Sequence, residues 1–348
     1  MLVNNVQLQD DLLNGDYRVQ PTTDFEINER GRIRKIEAPA IRDRNLQKSL
    51  TMNILLPRIR PFLIYDNYAS LKDRGTAFAR KRFEVLLRKY IAKNGVVGYG
   101  LFLDISKYFE NIDHEILKQR MAKRLDGESD EIKNLVYYII DISSHTNKGV
   151  NLGSEAPQIF AVDYLTPMDN YIKIVRGMKY YGRYMDDAFV FAETKEELTE
   201  LLQIVKEILA SLGLRINERK THIVKLTHGF TFLQVKYNVL PSGKIIKRMS
   251  HKKVVRERRR LKAFRRLVDK GEMTLEEAHN CYLSWRGSES KNHNACYDTI
   301  HRMDMLFKEL FPEKIEHVKL RRSDVAKEID RDIEKYDMAH CLTFNTIR

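Results

Sequence analysis

Two adjacent carboxylates, Asp186 and Asp187, stand in the stretch KYYGRYMDDAFVFAE between short runs rich in Tyr, Phe and Val. Neighbouring acids cannot neutralise each other, and oxygen donors of this kind suit Mg²⁺. A third acid, Asp104, ends the apolar run LFLD well upstream. Three carboxylates delivered by two neighbouring strands are what two-metal phosphoryl transfer requires. Two Mg²⁺ ions, with Mn²⁺ as a substitute, would activate an attacking hydroxyl and neutralise a triphosphate. The plain alternative is an Asp-Asp turn capping an ordinary hairpin. The tetrapeptide Tyr184-Met185-Asp186-Asp187 therefore needs support from the rest of the chain.

The residues on either side of the acid pair predict a β-hairpin with the acids at its tip. Asp104 closes a separate strand, approached through Gly95, Gly98 and Gly100. Successive strand residues face opposite ways, so Asp187 is read as an auxiliary ligand beside Asp104 and Asp186. Near the N-terminus, TDFEINERGRIRKIEAP predicts a hairpin turning near Arg30-Gly31. Its return strand carries Arg32 and Arg34 on one face and Lys35 on the other. The two arginines are read as a triphosphate clamp through their bidentate forks, against a solvated basic hairpin as the alternative. A helix after this hairpin is expected to stop at Pro57, and a basic helix to cover 74–93. Further helices are expected at 113–124, at 130–142 and from Ala156 to Val175, the last with Asp163 and Asp169 on a polar face. KEELTELLQIVKEILASLG reads as an amphipathic helix ended by Gly213. Strands follow at about 222–225 and 230–236, and from about 250 the chain is helical.

A chain of 348 residues is long enough for two or three subdomains, and 43% apolar with 31% charged residues describes a folded protein. The net charge of +13 is concentrated: residues 247–270 hold twelve Lys or Arg against two acids. That excess points to a polyanionic partner. Val254, Leu261, Phe264 and Val268 recur there at helical spacing, leaving Lys252, Lys253, Arg256 and Arg259 to track a nucleic-acid backbone. A surface for structured RNA or an acidic protein is the competing use. Trp285 and Arg286 read as packing behind it. Nothing resembles a signal peptide and no apolar run reaches membrane length, so no membrane partner is expected. Cys281, Cys296 and Cys341 make neither a disulfide framework nor a zinc pattern, which fits a reducing cytoplasm. The ten histidines, His222 among them, show no ligand spacing.

The order of these pieces resembles a reverse transcriptase over roughly residues 25–300. GRIRKIEAPAIRDRNLQ is similar to the fingers hairpin and following helix of bacterial retroelement enzymes. DISKYFENIDHEIL resembles the first palm acid motif, with Asp104 and the carbonyl of Ile105 at the metals. YMDD resembles the second, with Tyr184 and Met185 beside nucleic acid. GLRINERKT resembles the segment carrying a lysine near the incoming nucleotide, here Lys220, which would protonate or neutralise the leaving pyrophosphate; a surface lysine is the alternative. FTFLQVKY resembles the primer-grip hairpin, bringing Phe232 and Leu233 to nucleic acid, with Gln234 where glycine is usual. YLSWRGSESKNHN resembles a thumb-helix segment. Phe109 falls where related enzymes place an aromatic under the incoming sugar, excluding a 2′-hydroxyl; a core phenylalanine is the alternative.

The resemblance implies an α+β right-hand polymerase. Its parts would be fingers (1–97), palm (98–122), a fingers/palm helical segment (123–152), palm again (153–240), a basic helical thumb (241–313) and a C-terminal tail or peripheral helices (314–348). The implied activity is RNA-directed DNA polymerisation, copying template RNA onto a primer as cDNA from dNTPs. Most reverse transcriptases carry Gln-Gly…Ser-Pro between the acid motifs. The segment Leu152-Gly153-Ser154-Glu155-Ala156-Pro157-Gln158 instead resembles diversity-generating retroelement enzymes, as do YDNYASLKDRGTAFARKR and QIFAVDYLTPMDNYI. Pro157 departs from the usual Ser of that family. This resemblance implies misincorporation opposite template adenines and a small accessory variability protein. Leu152 and Gln158 would then meet the nascent base pair, Leu152 with fewer hydrogen bonds than a Gln and so with less discrimination. A group II intron-like or phage-defence reverse transcriptase, and a non-catalytic RNA-binding scaffold, are the alternatives.

Overall fold

The structure, a computed structural model, describes residues 2–29, 32–151 and 153–312. An N-terminal helix, α1 (Leu2–Leu13), precedes an antiparallel hairpin of β1 (Thr23–Glu29) and β2 (Arg32–Ala38). Its register sets Arg34 opposite Ile27 and Lys35 opposite Glu26. The next helix does not stop at Pro57. α2 (Ile41–Leu50) runs through a π-turn (Thr51–Leu55) into α3 (Leu56–Ile59) and a 3₁₀ turn ending at Phe62. The Leu56 N–H donates to the Thr51 carbonyl five residues back. That wider turn displaces the carbonyl a proline ring would strike, so the axis continues.

The basic helix is α4 (Thr76–Asn94), and it leads into β3 (Tyr99–Leu103). α5 (His114–Arg124) and α6 (Asp130–Asp141) follow, the first capped by the Asp113 carboxylate and the second by the Ser129 hydroxyl. The long helix expected over Ala156–Val175 is divided into α7 (Glu155–Tyr164), α8 (Thr166–Asn170) and a π-turn, Tyr171–Val175. Pro167 sits in the first turn of α8, where its missing N–H costs nothing. Asp163 and Asp169 are not on a polar face. Both are fully buried, Asp163 paired with Arg120 and Arg124, Asp169 with Arg183. A charge can be buried this way only when its partner comes with it.

β4 (Tyr181–Tyr184), β5 (Asp187–Ala192), α9 (Lys195–Ser211) and β6 (His222–Lys225) complete the central sheet, ordered β4-β5-β3-β6 and antiparallel throughout. Strand alternation gives the sheet two apolar faces. Leu101, Leu103, Ala188 and Val190 join the larger core with Leu198, Leu201, Val205 and Leu209 of α9. Phe102, Phe189 and Phe191 face the opposite way, onto α4. There Phe83 meets the rings of Phe189, Phe232 and Tyr237, each 4.7 Å away between centroids. Burying one such ring stabilises by about 1.5–3 kcal/mol, and each aromatic pair adds roughly 0.5–1.5 kcal/mol. A smaller sheet of β7 (Phe230–Phe232), β8 (Val235–Val239) and β9 (Ile245–Arg248) closes over this cluster.

Residues 241–250, expected with the basic helices, supply β9 and belong to the first compact unit, which takes in residues up to Ser250 and Lys291–Cys296. The second unit holds α10 (His251–Asp269), most of α11 (Leu275–Asn292) and α12 (Tyr297–Leu310). Its core joins Leu261, Tyr282, Met303 and Phe307, with Val254, Phe264 and Val268 packed against it. Trp285 stacks on Tyr282, and Arg286 pairs with Asp304 at 2.8 Å. The expectation for 314–348 lies outside the described residues. No helix among the described residues is long and apolar enough to cross a membrane.

Candidate active site

Asp104 lies one residue past the end of β3, and its main chain is clamped by the segment 215–221. Its carbonyl accepts from the Asn217 N–H at 2.7 Å, and its own N–H donates to the Thr221 hydroxyl at 3.2 Å. Ile105 bridges Ile216, its side chain buried, and the Ser106 N–H donates to the Arg215 carbonyl. The same segment delivers Lys220, whose ammonium sits 2.6 Å from Asp104 Oδ2. One turn therefore fixes the acid and supplies its cation.

The acid pair is at a hairpin tip. Tyr184 opposes Asp187, leaving Met185 and Asp186 as the turn, with Met185 at a left-handed φ of 52°. The last ladder pair between β3 and β5 is Leu103 with Ala188. One step further sets Asp104 against Asp187, on the aromatic face of the sheet shared with Phe102 and Phe189. Directly opposed residues of an antiparallel pair stand roughly 5 Å apart between Cβ atoms. Asp186 stands in the turn beside Asp187, and Asp104 acts on the carboxyls of both Asp186 and Asp187. Asp104, Asp187, Lys220, His222, Thr231 and Leu233 line one cleft of about 150 Å³.

Crowding is visible in the acids' protonation. Burial, then Asp186 and Asp104, push the Asp187 carboxyl up to about 7, against the pull of Lys220. Asp186 is also raised, by burial and by Asp104, with Lys220 and Arg183 opposing. Oxygen donors that repel one another are a chemistry a divalent cation relieves. Among the described residues no three acids, His or Cys close into a ready coordination cage. Lys220 is drawn onto Asp104 instead, and with half its side chain exposed it is free to yield that oxygen. The donor set fits hard divalent ions in kind, and the lysine is what an arriving ion would displace.

Residues 23–237, more than half the chain, match the family described as reverse transcriptase (RNA-dependent DNA polymerase). The chain belongs to the reverse transcriptase family. Its enzymes are RNA-directed DNA polymerases, a class of nucleotidyltransferase. Protein YkfC of Escherichia coli K12 is 24% identical over 269 residues, covering 65% of this chain and 69% of that protein. Two solved structures share the fold. Telomerase from Candida albicans with a fragment of telomeric RNA superposes with a TM-score of 0.51 at 12% identity over 86% of this chain. Apo telomerase from Candida tropicalis gives 0.50 at 13% over 88%. This chain spans 56% and 62% of those two telomerase chains.

Elsewhere in this reverse transcriptase the expected residues fall unevenly. Phe109 is half-buried in a 3₁₀ turn, its ring edge-on to Tyr108. Gln158 lines a second cleft, of about 350 Å³, with Arg44, Asn45 and Lys48 of α2 and with Gly153 and Ser154. Its Oε1 accepts from the Ser70 hydroxyl at 3.0 Å. Gly153 presses on β2 so closely that a Cβ there would meet the Glu37 carbonyl at 2.6 Å. Leu152 lies outside the described residues, as do the side chains of Arg32, Arg34 and Lys35. Tyr184 packs beside the aromatic cluster, and Phe232 commits its ring to that core, stacked on Phe83. Leu233 and Gln234 form the β7–β8 turn at φ of 42° and 69°. The left-handed backbone at Gln234 is the physical reason glycine is usual there. Arg80 of α4 holds this turn, its Nε and Nη2 both donating to the Leu233 carbonyl.

On α10, Lys252, Arg256 and Arg259 are exposed, but Lys253 turns inward to Glu289 at 2.8 Å. Sequence reading missed Thr221, Arg80 and Arg183. Only Arg183 left a signal, a charge inside the otherwise apolar strand YGRY.

The raised Asp187 carboxyl predicts a pH-dependent stability. Its unfolded value is near 3.8 and its folded value about 7, so ionising it in the fold is unfavourable. That cost is absent below the unfolded value, grows through this window and is complete above it. In metal-free protein Asp187→Asn should raise the melting temperature at about pH 8 and leave it unchanged at about pH 4. Equal shifts at both would show that Asp187 ionisation does not limit stability.

Proposed function

We propose that this chain extends a primer along an RNA template from dNTPs, as the error-prone reverse transcriptase of a diversity-generating retroelement. The observation that carries the polymerase reading is the meeting of Asp104, Asp186 and Asp187 at one end of the β3–β5 ladder. These carboxylates and the Ile105 carbonyl would hold two Mg²⁺ ions (or Mn²⁺), which would supply activation of the primer 3′-hydroxyl and neutralisation of the triphosphate. The chain's own groups do the rest. Arg32 and Arg34 on β2 clamp the triphosphate. Lys220, released from Asp104, stands ready to neutralise or protonate the departing pyrophosphate. Phe109 closes the space under the sugar against a 2′-hydroxyl. Tyr184, Met185 and the Leu233 turn meet the primer end. Lys252, Arg256 and Arg259 follow the template–primer backbone, with affinity falling steeply as salt rises.

The retroelement reading rests on the segment 152–158. Leu152 replaces a side chain that would hydrogen-bond the nascent base pair, and Gln158 faces the adjoining cleft with one end tied to Ser70. Weak polar contact at that point lowers discrimination, since selectivity is greatest when a mismatch strands a buried polar group. A small accessory variability protein and a cytoplasmic setting in a bacterium or phage-infected cell belong to the same reading.

Primer extension on an RNA template tests the chemistry. Asp186→Asn should lose several kcal/mol of transition-state stabilisation, ~10³-fold in rate; an active Asp186→Asn enzyme would refute the assignment. Supplying NTPs in the same assay reads the sugar gate: Phe109→Ala should incorporate them, and continued rejection removes Phe109 from that role. Sequencing the cDNA tests the retroelement. Wild type should misincorporate mainly opposite adenine, and Leu152→Gln should reduce those errors by roughly tenfold, the worth of about 1.4 kcal/mol. Faithful copying by wild type would favour a group II intron-like or phage-defence enzyme instead.

A further inference from the structure

We propose that Arg183 is a positioning residue for the catalytic turn: anchored on Asp169, its guanidinium holds the Met185 carbonyl and so sets where Asp186 and Asp187 stand. The proposal rests on the reading of these acids as the divalent-ion site. Arg183 is fully buried, and its donors are directed at three groups. Nε donates to Asp169 Oδ1 at 2.8 Å and Nη2 to Asp169 Oδ2 at 2.6 Å, a bidentate fork. Nη2 also donates to the Val162 carbonyl at 3.0 Å, and Nη1 to the Met185 carbonyl at 2.8 Å. Asp169, equally buried, takes a further bond from the Tyr181 hydroxyl.

The main chain of Arg183 is fixed as firmly. Its N–H donates to the Asp66 carbonyl and its carbonyl accepts from the Tyr68 N–H, both at 2.9 Å. The guanidinium is therefore a rigid strut between α8 and the tip of the hairpin. Met185 needs one. A non-glycine residue with left-handed φ is disfavoured, and it persists only where its surroundings over-determine it. The two peptides flanking Met185 aim the next two side chains, so releasing its carbonyl frees the acids to spread under their own repulsion.

Stability alone does not account for such a strut, because a buried ion pair is often matched by apolar residues of the same volume. The chain contains its own comparison. Asp163 is also fully buried and is paired with Arg120 and Arg124, yet among the described residues that cluster has no bond to the acid hairpin. Losing either pair should weaken the fold; losing only the first should move the acids.

Mn²⁺ binding followed by electron paramagnetic resonance, alongside melting temperature, separates the two. Arg183→Lys keeps the charge but cannot span both Asp169 and Met185, and Asp169→Asn keeps the shape but loosens the anchor. Both should raise the half-saturating Mn²⁺ concentration by on the order of 10–100-fold, the usual effect of disturbing groups that orient ligands. Asp163→Asn should lower the melting temperature and leave Mn²⁺ binding within about twofold of wild type. If Arg183→Lys is too unstable to titrate, Asp169→Asn reads the same quantity. Unchanged binding in Asp169→Asn, or equal weakening in Asp163→Asn, would overturn the strut. Wild type that binds Mn²⁺ no better than Asp186→Asn would overturn the divalent-ion reading itself, and the strut with it.

Discussion

Three carboxylates that repel one another are held at one end of the central sheet, and much of the surrounding structure serves to keep them there. Two unit charges ~5 Å apart at an effective dielectric near 20 repel by about 3 kcal/mol. Side-chain contacts alone would let such groups swing apart. The fold answers with main-chain constraints: the 215–221 turn grips the peptide of Asp104, and the β3–β5 ladder, ending at Leu103 and Ala188, brings Asp187 beside it. Lys220 offsets part of the charge from the open side. The cost that remains is carried by Asp186 and Asp187, whose carboxyls hold protons more tightly than free ones do.

The two apolar faces of the sheet divide the labour of supporting that end. The aliphatic face packs on α9, α7 and α5 and forms the larger core. The aromatic face runs directly up to the acids, because Asp104 follows Phe102, and Asp187 precedes Phe189, by one strand period. The Phe83 cluster thus ties α4, the acid-bearing strands and the β7–β8 turn into one body. A site that must present charge at a fixed spacing is built here on strands backed by packed aromatic rings.

Local patterns in the chain announce most of this. The hairpin around Asp186 and Asp187, the strand before Asp104 and the helices at 113–124 and 130–142 each follow from alternation, capping residues or helical rhythm. What stays hidden is whatever depends on long-range partners. Asp163 and Asp169 look like polar-face residues until arginines from α5 and β4 meet them. Pro57 looks like a helix stop until a π-turn shifts the hydrogen-bond register. Register is the subtler loss: the sequence places both acids at a hairpin tip, but only the ladder reveals that Asp187 starts β5 opposite Tyr184 while Asp186 stays in the turn. Lys253, indistinguishable in sequence from Lys252, is withdrawn by a buried Glu289 that no helical period announces.

The β7–β8 turn stores conformational energy in a part of the molecule that faces the acid cleft. Leu233 and Gln234 both sit left-handed without being glycine, a penalty of order 1–3 kcal/mol apiece. The Phe83 cluster below and the Arg80 fork above prevent it from relaxing. The shape of this loop is fixed by contacts made within the protein itself. Were a nucleic-acid strand to lie along the cleft, as proposed, it would meet there a turn whose shape is set by the protein and not by the strand.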